Sequence, residues 1–502
     1  MPIIDDTITP EPVSGRQLRI AFAGLMLTLM LAALDQNIVA TALPRIISDV
    51  GGLAHLSWVV TAFLLASTVT TPLYGKLSDL YGRRPLFIAA IFVFLAGSAL
   101  CGMAQSMTQL IVFRGVQGLG AGGLISLAQA AIGDLVSPRE RGRYQGLFTG
   151  VFAICSVAGP LLGGYLTDAL SWRWIFYVNL PVGAVALGLI AAGLPRHTRP
   201  IAHRIDYLGG VLLSSATICL LLMLSWGGNA LPWASPAMLC LALAAVALFA
   251  MLVGQERIAE EPILPVRLFT NRVFVVAVAA MALTASALFA STVFLPAFFQ
   301  LVLNATPSES GLMIAPLMAG LIVSSVVGGR LVAATGHYKV LPVTGLAAAS
   351  GAFLALSWTA IADVGRLPIE AALVVLGAAL GLIMPNLTVA IQNAVDRMDL
   401  GVATSSASFF RSLGGAVGVA AAGAIVADHI TDLSTLLGTA QQSAQSVARL
   451  PPAGHAAFIA AYRHAVGTTF VAAACATALA FGVVILLPER PLRSGKPPGA
   501  VR

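Results

Sequence analysis

The sequence predicts an all-helical membrane protein of fourteen spans in two related halves, and three observations carry that prediction. Of its 502 residues, 58% are hydrophobic and only 10% are charged, with a mean hydropathy of +0.90, too little polar surface to coat a water-soluble body of this size. Apolar runs of about 20 residues, enough to cross a bilayer as a helix, recur along the whole chain. Finally, the segment Gly75 to Arg84 (GKLSDLYGRR) returns in worn form at Gly328 to Lys339 (GGRLVAATGHYK). Gly75, Leu77 and Gly82 match Gly329, Leu331 and Gly336 at one constant offset, the mark of an internal repeat.

Six apolar runs begin near residues 20, 56, 86, 108, 145 and 176, two near 207 and 236, and six near 273, 309, 340, 369, 402 and 464. Strands of a membrane barrel alternate apolar and polar residues about ten at a time. Runs such as LLSSATICLLLML do not alternate, so each reads as a helix that satisfies its own backbone. The second copy of the repeated loop has lost its acid. Ala333 stands where Asp79 stands, and His337 and Tyr338 stand where Arg83 and Arg84 stand.

Short cytoplasmic loops collect Lys and Arg, and the parity of fourteen spans agrees. With the amino terminus inside, the inner loops hold Arg16 and Arg19, then Lys76, Arg83 and Arg84, then Arg139, Arg141 and Arg143. They continue with Arg196, Arg199 and Arg204, with Arg257, Arg267 and Arg272, with Arg330, Lys339 and Arg397, and with Arg490, Arg493, Lys496 and Arg502. Only Arg45, Arg173, Arg366, Arg449 and Arg463 fall outside. Both termini are therefore expected in the cytoplasm. The net charge of +7 has the same cause: it faces an anionic inner leaflet and calls for no nucleic acid.

The first run is too long for a cleavable signal and lacks a small-residue cleavage pattern before Asp35, so it is expected to stay as span 1. Three segments read as unstructured or linking: the acidic head up to about Ser14, PRHTRPIAHR from Pro195 to Arg204, and a long external stretch from Asp428 to about Arg463 with room for a short helix. Cys101, Cys155, Cys219, Cys240 and Cys475 all fall in apolar runs and read as small hydrophobes. The histidines show no metal-ligand spacing.

An ionisable side chain within a span is costly and marks a pathway. Asp35, in LAALDQNIVATALPRI, falls toward the outer half of span 1 and is expected to face the interior or a watery cavity. Burial would raise its proton affinity and a nearby cation would lower it; otherwise it simply pairs with a neighbour. Arg114, early in span 4, lies at about the same depth. Its guanidinium does not deprotonate, so it either disfavours protonation of a facing carboxylate or anchors the helix by snorkelling. In span 5, Gly159 and Gly163 are spaced as GxxxG, and Pro160 removes a backbone donor. That helix reads as a hinge or seal, or as ordinary tight packing.

These residues resemble the major facilitator superfamily, and within it the fourteen-span drug:proton antiporter branch (QacA/EmrB-like). GKLSDLYGRR is similar to the superfamily signature between spans 2 and 3, and Arg114 with Gly118 to that of span 4. AGPLLGGYL, with Gly159, Pro160, Gly163 and Gly164, is similar to the antiporter motif of span 5, with Cys155 replacing a usual Gly. LDQNIVATALP around Asp35, WRWIFYVNLPVG from Trp172 and EEPILPVRLF before span 9 are similar to features of the branch. The resemblance covers nearly the whole chain. It implies a six-helix bundle over 1–195, two inserted helices over 196–265 and a second six-helix bundle over 266–502. It also implies Asp35 and Arg114 as the proton-coupling pair, Gly75, Asp79, Gly82, Arg83 and Arg84 as a cytoplasmic latch between bundles, and the span 5 motif as the antiporter hinge.

Walls of a substrate cavity are expected where apolar surface carries isolated polar groups. The candidates are Asn37, Trp58, Phe63, Gln117, Phe294, Phe298, Phe299, Gln300, Asn386 and Arg411. Each aromatic could equally face a neighbouring helix or lipid, and Arg411 is either a gate or a snorkelling cation. Relatives often carry Thr at the position of Asn37. Asp363, Glu370, Asp396 and Asp399 lie near span ends, so a monocationic or neutral lipophile fits better than a dication. The whole reading is a multi-pass protein of the bacterial cytoplasmic membrane that exports lipophilic drugs or toxic compounds against protons, with no cofactor beyond the proton gradient. A periplasmic adaptor is an optional partner. An uptake symporter of a small organic solute and a non-transporting receptor or scaffold are the alternatives. No nucleophile, metal or phosphate-binding arrangement suggests an enzyme.

Overall fold

The structure is a computed structural model, and it describes residues 15–50, 56–136, 138–195, 206–227, 231–305, 307–362, 364–437, 452–489 and 491–492. Fourteen helices among these residues are long and apolar enough to cross a membrane. The first six are α1 (Gly15–Val50), α2 (Leu56–Tyr81), α3 (Arg83–Met103), α4 (Met107–Leu135), α5 (Pro138–Ala169) and α6 (Asn179–Gly193), the last preceded by a single turn at Trp174–Tyr177. Next come α7 (Tyr207–Trp226) and α8 (Pro236–Ile258). The remaining six are α9 (Arg272–Leu301), α10 (Ala315–Thr335), α11 (Val340–Ala362), α12 (Arg366–Ala394), α13 (Leu400–Leu437) and α14 (Pro452–Ile485).

Side chains that bond free backbone amides start several of these helices. Ser106 accepts from the Gln109 amide before α4, Asp206 from Gly209 before α7, Ser235 from Met238 before α8, and Asn271 from Val273 before α9. The acidic head, the linker from 196 to 204 and residues 438–451 lie outside the described residues. The external stretch is corrected at both ends. α13 continues through 428–437 and α14 already begins at Pro452, so most of what reads as loop between 428 and 463 is helix.

Helices α1 to α6 pack together, as do α9 to α14, while α7 of the inserted hairpin lies against α2 and α13. The two groups meet chiefly along α2 with α13 and along α5 with α10. The internal repeat explains this pairing, because α2 and α10 carry its two copies. Gly82 (φ 89°) and Gly336 (φ 76°) are repeat equivalents, and both hold a left-handed backbone that a side chain would strain. Gly75 and Gly329 are equivalents too, and each lies where its helix touches the opposite group. A Cβ on Gly75 would strike the Ser405 side chain of α13, and one on Gly329 would strike the Gly142 carbonyl of α5.

The seam between the groups is tightest at the end bearing Asp79 and most of the described arginines, here termed the basic end. There a Cβ on Gly142 would lie 3.0 Å from the Gly329 carbonyl oxygen, and one on Gly146 would lie 2.7 Å from the Ser325 carbonyl oxygen. Two helices approach this closely only where side chains are missing. Gly142→Val is therefore expected to force the seam open at an overpacking cost of about 1–3 kcal/mol. With the native cysteines replaced by alanine, a Ser325→Cys reporter should then react with N-ethylmaleimide on the order of tenfold faster. An unchanged rate would show that the seam is not held by this contact.

Candidate functional site

Five helices of the first group converge on Asp35, which is 0% exposed. Its Oδ2 accepts from Arg114 Nη1 at 2.8 Å. Its Oδ1 accepts from Gln117 Nε2 and from Asn179 Nδ2, each at 2.8 Å. Ser98 of α3 accepts from both amides and donates to the Phe176 carbonyl. Arg114 spends its other donors on Gln117 Oε1 at 2.8 Å and on the Val59 carbonyl of α2 at 3.3 Å. The Phe63 ring closes over the guanidinium at 4.0 Å, a favourable stacking for a desolvated arginine. Three charged or amide donors thus take the place of water around the carboxylate.

This geometry alters the sequence reading in two ways. Asp35 and Arg114 meet, as expected, and of the two surroundings expected for the carboxylate, the interior and a watery cavity, it has the first, sealed inside the first helix group. Gln117 and Phe63, read as cavity walls, are parts of that seal. Asn179, which the sequence reading did not single out, is the third donor to Asp35. An amide at the head of an apolar run is visible in the sequence, and the rule that drew attention to Asp35 applies to it as well.

A second cluster closes the basic end. Asp79 reaches from α2 to the start of α13, where its Oδ1 accepts from the Gly401 amide at 3.0 Å and its Oδ2 from the Val402 amide at 2.7 Å. These are the unsatisfied amides of a helix N-terminus, which also presents positive dipole charge. Arg83 binds Asp79 at 2.6 Å and Asp134 at 2.8 Å, and also bonds Ser78. On the neighbouring side Arg141 of α5 donates to the Gln392 carbonyl of α12 at 2.9 Å. The Gln392 side chain reaches the Gln129 carbonyl of α4, and Ser408 of α13 donates to Gln129 Oε1 at 3.0 Å. Gly75, Asp79, Gly82 and Arg83 thus sit together at the junction of the groups. Arg84 does not join them. It is half-buried and bonds to no described residue.

The span 5 residues divide. Gly159 abuts Asn37, where a Cβ would meet the Asn37 Cβ at 2.7 Å, and the Asn37 amide donates to the Ala33 carbonyl. Both therefore serve the packing of α1 on α5. Gly163 is buried, whereas Gly164 has open space beside it. The backbone of α5 is helical through Pro160, whose side chain lies outside the described residues. Several other cavity candidates also change place. Trp58 packs edge-to-face on Trp226 of the inserted hairpin. Phe298 and Phe299 are 2% and 0% exposed in the core of the second group, because that face of α9 turns toward its own bundle. Phe294 and Gln300 are half-buried. Asn386 is fully buried with its Oδ1 unbonded, and Arg411 is half-buried.

At the opposite end Asp49, exposed on the extended tip of α1, accepts from the Trp172 indole at 2.8 Å and from Arg173 at 2.7 Å. The indole bond first, and then the guanidinium, hold its carboxyl below the usual carboxylate range. A lowered folded value means that the charge stabilises this corner above the ordinary carboxylate pKa and that the effect fades as pH falls through the lowered one. The difference in thermal midpoint between the native chain and Asp49→Asn should therefore hold constant from pH 6 to 8 and shrink below about pH 4. A difference that varies between pH 6 and 8 would refute this.

The family description "Major Facilitator Superfamily" matches residues 25–419. The chain is 40% identical over 404 residues to the multidrug transporter protein MdtP of Bacillus subtilis, covering 80% of this chain and 74% of that protein. It is 34% identical over 427 residues to multidrug resistance protein 3 of the same organism, covering 85% and 82%. Among solved structures, the human organic anion transporter MFSD10 superposes with a TM-score of 0.64 at 17% identity, covering 93% of this chain and 99% of that one, a likeness of fold. The two related helix groups, their junction along the repeated loop and these similarities lead to one conclusion: this chain is a member of the major facilitator superfamily, and its fourteen spans fit the drug:proton antiporter type.

Proposed function

We propose that this protein exports small lipophilic compounds across the bacterial cytoplasmic membrane by alternating access between its two helix groups, driven by inward movement of protons. The basic end faces the cytoplasm, in accord with the placement of Lys and Arg, and both termini lie on that side. The observation that carries the reading is the cross-group junction at the basic end. It is closed by bonds and glycine contacts that must break together for the opposite state to form, which is what a bistable gate requires. Two relatives whose names denote multidrug transport or resistance support efflux as the direction. An uptake symporter would use the same fold, and no observed contact favours it.

Asp35 is the proposed proton carrier. In the conformation with the basic end closed it is paired with Arg114 and shut off from water. Exchange therefore belongs to another stage of the cycle, in which Arg114 withdraws and the carboxylate takes a proton from outside. Separating a buried pair without compensation costs about 3–5 kcal/mol, so protonation and movement of Arg114 are linked. Bundles 1–195 and 266–502 rock against each other along their junction, with 196–265 as an inserted hairpin.

Two outcomes test this. In everted membrane vesicles, Asp35→Asn should abolish drug movement driven by a pH gradient while leaving the chain inserted at native abundance; gradient-driven movement at the native rate by that variant rejects Asp35 as the carrier. Asp79→Asn removes the charge from two helix-terminal hydrogen bonds worth about 1.5–3 kcal/mol each when charge-assisted. It should shift the population toward the state open to the cytoplasm, read as faster maleimide labelling of Ser405→Cys from that side. Slower or equal labelling would show that Asp79 does not hold the gate shut.

A further inference from the structure

Arg411 occupies a place in α13 that no structural role accounts for. The helix starts at Leu400, so residue 411 lies about 16 Å along the axis at 1.5 Å per residue, near the middle of a hydrocarbon core about 30 Å thick. At that depth a side chain does not reach either interface, which removes snorkelling as its purpose. Its guanidinium forms no hydrogen bond or ion pair with any described residue, in contrast to Arg83, Arg114, Arg141 and Arg173. The acid nearest the membrane centre, Asp35, is fully committed to Arg114. A permanent cation at mid-membrane without a counter-charge is expensive, and such residues persist where they work.

The helical register shows where it points. Residues 404, 408, 411 and 415 share one face of α13. Ser408, one turn nearer the cytoplasm, bonds Gln129 of the opposite group at 3.0 Å, and Thr404 accepts from Gln392 at 3.4 Å. Gly415, one turn farther out, is covered by the half-buried ring of Phe289 of α9, which a Cβ there would meet at 2.8 Å. The other faces are occupied: Phe409 and Leu413 pack into the cluster with the inserted hairpin, and Gly414 and Gly418 lie against the α9 backbone. Arg411 therefore stands between the groups, just outside the closed junction, with a partly exposed aromatic ring one turn beyond it.

We infer that Arg411 is the counter-ion for an acidic group on the transported compound, so that the cargo is a lipophilic anion or zwitterion carrying a carboxylate or sulfonate, with its apolar body against Phe289. Charge complementarity replaces the monocationic or neutral cargo that the sequence suggests, because a guanidinium repels a lone cation and offers a planar fork to a carboxylate. The inference rests on the proposed export function and specifies the chemistry of its site.

The test uses the full-length protein in nanodiscs and two probes of one skeleton, dansyl-phenylalanine and its carboxamide, titrated by fluorescence. The acid should bind the native chain more tightly than the amide. Arg411→Gln should weaken the acid about 10- to 100-fold, the size of a lost charge-assisted bond, while changing the amide less than about twofold. Arg411→Lys should retain part of the preference for the acid. Equal losses for acid and amide in both variants, or no loss of the acid in either, overturn the inference. Transport in everted vesicles separates it from the parent reading. Export of the acid by the native chain at a rate that Arg411→Gln leaves unchanged sinks this inference alone, whereas failure to export either probe or any lipophilic drug sinks the export function itself.

Discussion

A carboxylate carried into a bilayer keeps its charge only if donors replace the water it has left, and the first helix group is organised around meeting that demand for Asp35. Arg114, Gln117 and Asn179 come from two helices, and Ser98 from a third orients both amides. Each donor must arrive at hydrogen-bond distance, so the helices that carry them are fixed relative to one another. The low dielectric makes this set cooperative: complete, it rigidifies the group, and with one member displaced it strands a charge. Glycines on the inner face of α4 let the neighbouring backbones come near enough for such short bonds. The cost of burying the pair is thus converted into a precise arrangement of the surrounding helices.

The two ends of the molecule use different physics. At the basic end the groups are joined by contacts that cross between them, including backbone against backbone at Gly142 and Gly329 and a carboxylate on a helix terminus at Gly401. At the far end the described ion pair, Asp49 with Arg173, ties α1 to the segment before α6 within one group. A latch must join the moving parts, and an anchor must not. The inserted hairpin adds a third element. Its side is tied to α2 through Lys76 and Glu261 at 3.8 Å, and the Leu212, Leu252 and Phe409 cluster seats it on α13 as well, so it spans the line where the two groups meet.

Much of this was legible in the sequence because hydropathy and charge act over whole segments. Helix starts agree within a few residues for most spans, since an apolar run of the right length has one stable form in lipid. The repeated loop announced the pairing of halves, and the positive φ of Gly82 and Gly336 shows why a glycine stands at that position in both copies. Individual cavity residues were less legible. Phe298 and Trp58 differ from Phe294 only in angular position around their helices, and apolar residues cover all faces of a membrane helix, so periodicity does not tell a core face from a cavity face. Asp35 was visible as an intramembrane acid, but whether water reaches it depends on side chains from four other helices. Residues 428–437 and 452–463 misled for a further reason: the first mixes polar residues with leucines and the second is Ala-rich, and such sequence continues a helix beyond the membrane as readily as it forms a loop.

The repeat is imperfect where it matters for motion. In its first copy an acid reaches across to the other group, whereas in the second Ala333 has nothing to offer and Lys339 turns instead to the final carbonyls of α14 in its own group, at 2.9 Å from Ile485. The two flanks of the junction are consequently fastened unequally: Asp79 holds two amides of α13 on one, and Arg141 holds the single Gln392 carbonyl of α12 on the other. Both fastenings must let go for the halves to part, but a lid with unequal catches tilts as it lifts, giving a skewed opening from a scaffold of twofold ancestry.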